Sequence, residues 1–367
     1  MKQIEKRNWN FNNASLAYAF AIVGYFCASI ILTIVVLSLT PQAISNPNEI
    51  NETLSKPWVT YLNVILSELS FFLVFLICNK KFKKDILVTS RIKFKPDALI
   101  IIGTIFGAGI LFFGSMNVSE LFTYLFSTFA KGASEISVPL DTFGQFLIAV
   151  FLLAILPAVC EEFLFRGVIF QGLKNKFNGP LAIVLSALLF ALIHMSIYQT
   201  LHQFVLGVVL ATLAYFTGTI AYGMLFHFLN NFFVVFLAYV FPNTNFVFTT
   251  WGAKEVLFSL AIFFLTVLIV ALLFYFLKEK NKKQAQNSSN FKQLSWQEII
   301  AEKQQLCDLY EISAEGDSMT ETIGNSSSKD EMLKDNSQKP CHDNTLGIIL
   351  LSASIAVTAL MWILNSF

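Results

Sequence analysis

Long apolar runs separated by short polar or basic stretches dominate the chain. They fall at about Leu16–Leu39, Trp58–Cys78, Ala98–Met116, Thr142–Leu164, Pro180–Tyr198, Leu201–Phe216, Thr219–Phe241, Lys254–Leu277 and Leu346–Phe367. Crossing a bilayer core of roughly 30 Å takes about 20 consecutive apolar residues in a helix. Lipid offers no partner to a free backbone N–H or C=O, so such runs predict helices. The pattern therefore predicts an all-α polytopic membrane bundle of about eight core spans plus one C-terminal span.

Two stretches break the pattern. Asn117–Asp141 is mixed, with Leu121, Phe122, Leu125 and Phe126 spaced like one helical face, and is expected at the outer interface. Residues 279–345 are rich in Lys, Gln, Asn, Ser, Glu and Asp and bury too little apolar surface to fold alone; they read as a cytosolic, largely disordered linker. Within it, Trp296–Ile312 carries Trp296, Ile299, Ile300, Leu306 and Leu309 at amphipathic spacing, a transient helix more than a partner motif. The organisation expected is thus 1–141 N-terminal spans, 142–241 a core, 242–278 an eighth span, 279–345 the linker and 346–367 a last span.

Composition sharpens this reading. The chain has 367 residues, 55% of them hydrophobic and 13% charged, too little polar surface to cover a soluble domain of that size. Net charge is +1, so no global field points to nucleic acid. The distribution of charge matters more than its sum. Lys2, Lys6 and Arg7 precede the first span, a Lys80–Lys95 cluster follows the second, Arg166, Lys174 and Lys176 follow the fourth, and Lys278–Lys283 follows the eighth. The positive-inside rule puts all of these in the cytoplasm, with the amino terminus among them and the carboxyl end outside. The first apolar run, about 24 residues, exceeds a signal-peptide core of roughly 7–15 and is expected to be retained. Of the five cysteines, Cys27, Cys78 and Cys160 lie in spans and Cys307 and Cys341 in the linker, so they form no extracellular disulfide framework.

Ionisable side chains inside spans are expensive and point to function. The fourth span carries Glu161-Glu162-Phe163-Leu164-Phe165-Arg166. Adjacent carboxylates on a helix diverge by about 100°, and Glu162 and Arg166 at i,i+4 can pair, which leaves Glu161 free. The fifth span carries Phe190-Ala191-Leu192-Ile193-His194, and the seventh His227-Phe228-Leu229-Asn230-Asn231, an imidazole and an amide on one face. Counted from a turn near Asn178, Glu161 and His194 meet at similar depth; bringing in His227 needs a tilt or an extension of the fourth helix. Each feature alone has a plainer reading. Glu-Glu-x-x-x-Arg often makes an interfacial salt bridge, and a lone membrane His, as His202 is read here, is usually an interhelical hydrogen-bonder. Together, on three spans, they point to catalysis.

One carboxylate, two imidazoles and an amide suit peptide hydrolysis. Glu161 and His194 can hold and deprotonate a water, while His227 and Asn231 donate to the oxyanion; Glu162 and Arg166 are supporting. Glu161, His194 and His227 also make a sufficient first shell for a catalytic zinc, an alternative the residues leave open. Asn231 is a poor zinc ligand and a good oxyanion donor, which favours a metal-free enzyme requiring no cofactor.

Glu161-Glu162-x-x-x-Arg166, Phe190-x-x-x-His194 and His227-x-x-x-Asn231, in this order, resemble the CAAX protease and bacteriocin-processing (CPBP, Abi) family, which includes the type II CAAX prenyl endopeptidases. The resemblance covers about Phe143–Phe241. It implies an intramembrane endopeptidase, a hydrolase often classed as a metalloprotease, with Glu161 and His194 activating water and His227 and Asn231 stabilising the transition state. It further implies membrane-associated protein or peptide substrates and a multi-pass cell-membrane protein. The other classes weighed are a membrane scaffold, bacteriocin-immunity or cell-envelope regulator on the same fold, favoured by the long tail, and a proton-relay transporter. Intact motifs oppose the first, and the lack of repeat symmetry the second.

Overall fold

The computed structural model describes residues 9–41, 52–54, 56–84, 86, 91–92, 96–127, 138–242, 244, 247–248, 250–273, 275–276, 279 and 344–366. The proposed linker and its Trp296–Ile312 helix fall outside these. The chain divides into one unit of Met1–Leu277 with Asn344–Phe367 and a second of Lys278–Asp343; the helices below all belong to the first.

The fold is all-α. We number the helices α1 (Phe11–Leu39), α2 (Pro57–Lys81), α3 (Ala98–Phe126), α4 (Phe143–Lys176), α5 (Gly179–Ile193), α6 (Ile197–Thr217), α7 (Ala221–Val240), α8 (Ala253–Leu273) and α9 (Thr345–Ser366). Among the described residues, eight are long and apolar enough to cross a membrane, and α5, with 15 residues, is shorter. Their ends carry the usual chemistry. Asn10, Asp97, Thr142 and Asn178 cap α1, α3, α4 and α5 by accepting from backbone N–H groups, Thr142 and Gln145 forming a reciprocal capping box. Gly218, at φ 71°, ends α6 in the left-handed conformation.

One expectation needs correction. The fifth and sixth runs do not divide between Tyr198 and Leu201. The chain breaks at His194–Ser196, where Met195 adopts φ 48°, and Tyr198 belongs to α6. Of the mixed stretch Asn117–Asp141, residues 117–126 continue α3 without interruption, with Leu121 buried and Phe122 and Phe126 packed on Ile197 and Tyr198; residues 128–137 lie outside the described ones.

α4 is the axis of the molecule. Its 34 residues are interrupted by π-helical turns at Phe151–Ile155 and Phe165–Ile169. Pro157 explains the first: it has no N–H, so the ladder loosens just before it, and Leu156 N–H reaches back to Phe151 O. In the second, Phe170 N–H bonds Phe165 O instead of Arg166 O. Gln171 Nε2 then donates to the stranded Arg166 carbonyl at 3.0 Å. Around α4 the core collects Tyr18, Phe75, Phe165, Phe170, Phe190 and Phe226, all buried. α9 packs against α1 in parallel, since Gly347 abuts Phe11 and Asn12 at its start, and Trp362 Nε1 donates to Thr200 on α6 near its end.

Candidate active site

Glu161 and Glu162 lie between the two π turns of α4, both buried within the bundle. Their side chains diverge as two successive helical residues must. The i,i+4 pair expected from sequence is present: Arg166 Nη1 donates to Glu162 Oε1 at 2.6 Å, with both side chains wholly buried. Arg166 Nη2 reaches on to the Gly207 carbonyl of α6 at 3.2 Å, and its guanidinium stacks 4.4 Å from the Phe190 ring centroid. A Cβ on Gly223 of α7 would stand 2.9 Å from Glu162 Oε2, so this glycine leaves room for the pair, while one on Gly207 of α6 would press on the Ala187 backbone of α5 at 3.0 Å.

Glu161 faces the other way, toward the two histidines. Its Oε1 lies 4.0 Å from His194 Nε2 and its Oε2 3.8 Å from His227 Nε2. The extension that the sequence demanded of the fourth helix is provided by its 34-residue length and its π turns. His194 terminates α5, and its Nδ1 is 2.7 Å from Phe190 O. A carbonyl only accepts, so Nδ1 must carry the proton, and in a neutral ring Nε2 then presents a lone pair toward Glu161. His227 sits between the two carboxylates. Its Nδ1 faces Glu162 Oε1 at 3.5 Å without making a hydrogen bond. Phe190 meets both imidazoles edge to face, at 5.0 Å from His194 and 5.9 Å from His227, so one aromatic ring sets their spacing.

Asn231 lies one turn beyond His227 on α7. Its amide oxygen accepts from Asn230 Nδ2 at 3.3 Å, which leaves its NH2 as the donating end. Asn230 Nδ2 also approaches His202 Nε2 at 3.2 Å, and His202 Nδ1 approaches Ser115 Oγ at 3.4 Å. His202, which the sequence assigns to a span boundary, is therefore inside α6 and linked to Asn231 through one amide. It also lines a cavity of about 530 Å³ bounded by Phe112, Met116, Tyr198, Val234 and Leu237.

Sequence reasoning overlooked Glu68. This carboxyl, the only acidic residue of α2 and nearly central in it, is 8% exposed, and its Oε2 has no hydrogen-bond partner. The signal was available, since an ionisable residue in mid-span is a functional hypothesis by default.

Buried polar atoms are normally paired, so a concentration of unpaired ones marks a place built for something else. Eleven buried side-chain atoms among the described residues have no hydrogen-bond partner, and six of them gather here: Glu68 Oε2, Glu161 Oε2, Glu162 Oε2, Arg166 Nε, His227 Nδ1 and Asn230 Oδ1. Among the described residues, no three His, Cys, Asp or Glu side chains form a group with the geometry to hold a metal ion. The site as it stands presents acceptors and donors to a small polar species between helices.

Residues 143–233 match the family described as Type II CAAX prenyl endopeptidase, Rce1-like. No curated protein and no solved structure matches the chain. The matched segment begins with α4 and ends within α7, so it contains Glu161, Glu162, Arg166, His194, His227 and Asn231 and omits Glu68.

Proposed function

We propose that this chain, whose residues 143–233 match the type II CAAX prenyl endopeptidase family, is an intramembrane endopeptidase that hydrolyses peptide bonds of membrane-associated proteins or peptides with a water held by Glu161 and His194. One observation carries the reading. The Glu161 carboxylate and the lone pair of His194 Nε2 are both acceptors, 4.0 Å apart. A water donating one O–H to each, with arms of about 2.8 Å, subtends roughly a right angle, close to what its own geometry allows. Such a water keeps a lone pair free to attack a carbonyl, and Glu161 takes its proton. The same carboxyl then returns the proton to the leaving amine.

The tetrahedral oxyanion needs donors on the other side. His227 and the NH2 of Asn231, one turn apart on α7, supply them in a water-poor site, where such bonds are worth most. Glu162 and Arg166 orient the assembly, the arginine by stacking on Phe190 and the glutamate by facing His227. We propose that this machinery works without a bound metal; the amide of Asn231, a poor zinc ligand and a good oxyanion donor, supports it. The test is peptide release from membranes holding equal amounts of the wild type and Glu161→Ala. Products that appear only with the wild type are expected, and identical products from both would refute the assignment.

A further inference from the structure

We propose that His202 of α6 is a positioning residue of this site: through Asn230 it fixes which end of the Asn231 amide faces the oxyanion. The inference rests on the hydrolase reading above and concerns a histidine outside the three motifs.

Four side chains from three helices form one hydrogen-bonded chain. Ser115 Oγ of α3 lies 3.4 Å from His202 Nδ1, and His202 Nε2 lies 3.2 Å from Asn230 Nδ2 on α7. Asn230 Nδ2 also donates to Asn231 Oδ1 at 3.3 Å. Donor and acceptor chemistry places the protons. An amide NH2 only donates, so His202 Nε2 is a bare lone pair and the neutral ring carries its proton on Nδ1. Nδ1–H then donates to Ser115 Oγ, which is free to accept because its own proton goes to Phe112 O at 3.3 Å. Both ring nitrogens are satisfied, and every bond from Asn230 to the Phe112 carbonyl runs the same way.

The direction matters because an amide has two unlike ends. With the proton on Nε2 instead, Asn230 would turn over and put its oxygen where Nδ2 now stands. That oxygen would face the ring N–H and Asn231 alike. Asn231 would have to answer with its NH2, leaving its carbonyl oxygen toward the site, where it repels an oxyanion instead of holding it. The observed orientation carries a cost, since Asn230 Oδ1 is buried without a partner. The two bonds made by Nδ2 offset that cost, and one of them requires His202 as acceptor. Aromatic packing keeps the helices in register for this chain: the Phe112 ring lies 5.5 Å from that of Phe233, two residues beyond Asn231. A tie between helices alone would be indifferent to which nitrogen carries the proton.

The purified full-length protein and a synthetic copy of the peptide bond cleaved by the wild type test this. His202→Leu leaves Asn230 without its acceptor and should lose between about 10- and 10²-fold in kcat, the scale of a misplaced catalytic group, with KM within about twofold. His202→Gln keeps an acceptor oxygen near the place of Nε2 and should recover most of the loss. Because His202 acts through Asn231, adding His202→Leu to Asn231→Ala should slow turnover by no more than about twofold further. Wild-type kcat in His202→Leu, a change confined to KM, a glutamine variant as slow as the leucine one, or losses that multiply in the double variant would each overturn the proposal. A second readout does not depend on turnover. Nitrogen NMR of the solubilised protein carrying ¹⁵N-histidine separates ring nitrogens with and without hydrogen, and His202→Gln identifies the His202 signals among the four histidines. Nδ1 should bear the hydrogen, Nε2 should be bare, and Asn230→Leu should shift the Nε2 signal. A hydrogen on Nε2, or an Nε2 signal indifferent to Asn230→Leu, refutes the assignment. Should the wild type cleave nothing, the functional reading fails and the NMR result still decides the direction of the chain.

Discussion

At the residue scale, the division of labour between two neighbouring glutamates is the central feature. Glu161 reaches two imidazoles, whereas Glu162 is bound to Arg166 at 2.6 Å. Glu161→Gln preserves shape and removes the base; turnover should fall by about 10²-fold or more with stability little changed, measured on purified protein. His227→Ala and Asn231→Ala should each depress turnover by roughly 10²–10³-fold, as when an oxyanion donor is lost. Elemental analysis of all three and of the wild type should find well under one zinc per chain. Stoichiometric zinc lost in His194→Ala and His227→Ala but kept in Asn231→Ala would replace the oxyanion reading with a metal centre. The motif residues were legible in the sequence because each lies on a helix with a fixed repeat, so spacing alone placed Glu162 with Arg166 and His227 with Asn231. Glu68 has no such partner on its own helix. Its helix packs on α4, where Phe72 and Phe75 meet Phe163, a long-range contact that no periodicity reports.

At the element scale, the function depends on a helix that does not follow one ladder throughout. The π turns of α4 bracket the two glutamates and rotate the segments on either side, so that Glu161 can face α5 and α7 while Arg166 reaches α6. The irregularity has a cost that particular groups offset. Gln171 takes the carbonyl that the second π turn strands. Replacing it with leucine leaves that carbonyl unpaired in a buried position, and thermal or denaturant unfolding should show a loss of about 1–3 kcal/mol. Glu162→Ala strands the buried Arg166 instead, a defect of about 3–5 kcal/mol, visible as lower abundance and a lower melting point together with reduced activity. If the alanine variant is as stable as wild type yet inactive, Glu162 acts in the chemistry itself. Hydropathy could locate α4 but not these turns, apart from the hint of Pro157. It also missed the break at His194–Ser196, since Met195 is apolar and the left-handed turn there is a matter of backbone conformation.

At the scale of the whole molecule, the first and last helices pack together. The start of α9 meets the start of α1 at Gly347 and Phe11, and the end of α9 reaches Thr200 near the start of α6. We take the basic clusters as cytoplasmic, the amino terminus with them. A topology reporter after Lys283 should then score cytoplasmic and one after Phe367 external; a cytoplasmic score at Phe367 would reverse the reading of the last span. The layout of a polytopic bundle was legible in the runs themselves, because membrane solvation leaves few alternatives for apolar segments of that length. What the runs did not convey is that α9, distant in sequence, belongs to the same packed body, with Trp362 packed, like Phe122 and Phe126, on Ile197 and Tyr198.

The brevity of α5 has a consequence for the surrounding lipid. Fifteen residues rise only about 22 Å, against a hydrocarbon layer of roughly 30 Å. The chain therefore turns back at His194 before reaching the far headgroups, and the neighbouring acyl chains must shorten or tilt to meet it. A locally thinned bilayer shortens the dry path that water has to travel to His194. For the hydrolase we propose, turnover should depend on acyl-chain length: it is expected to be faster in short-chain lipids, which match the protein at its thinnest point, than in long-chain lipids, which slow the supply of water.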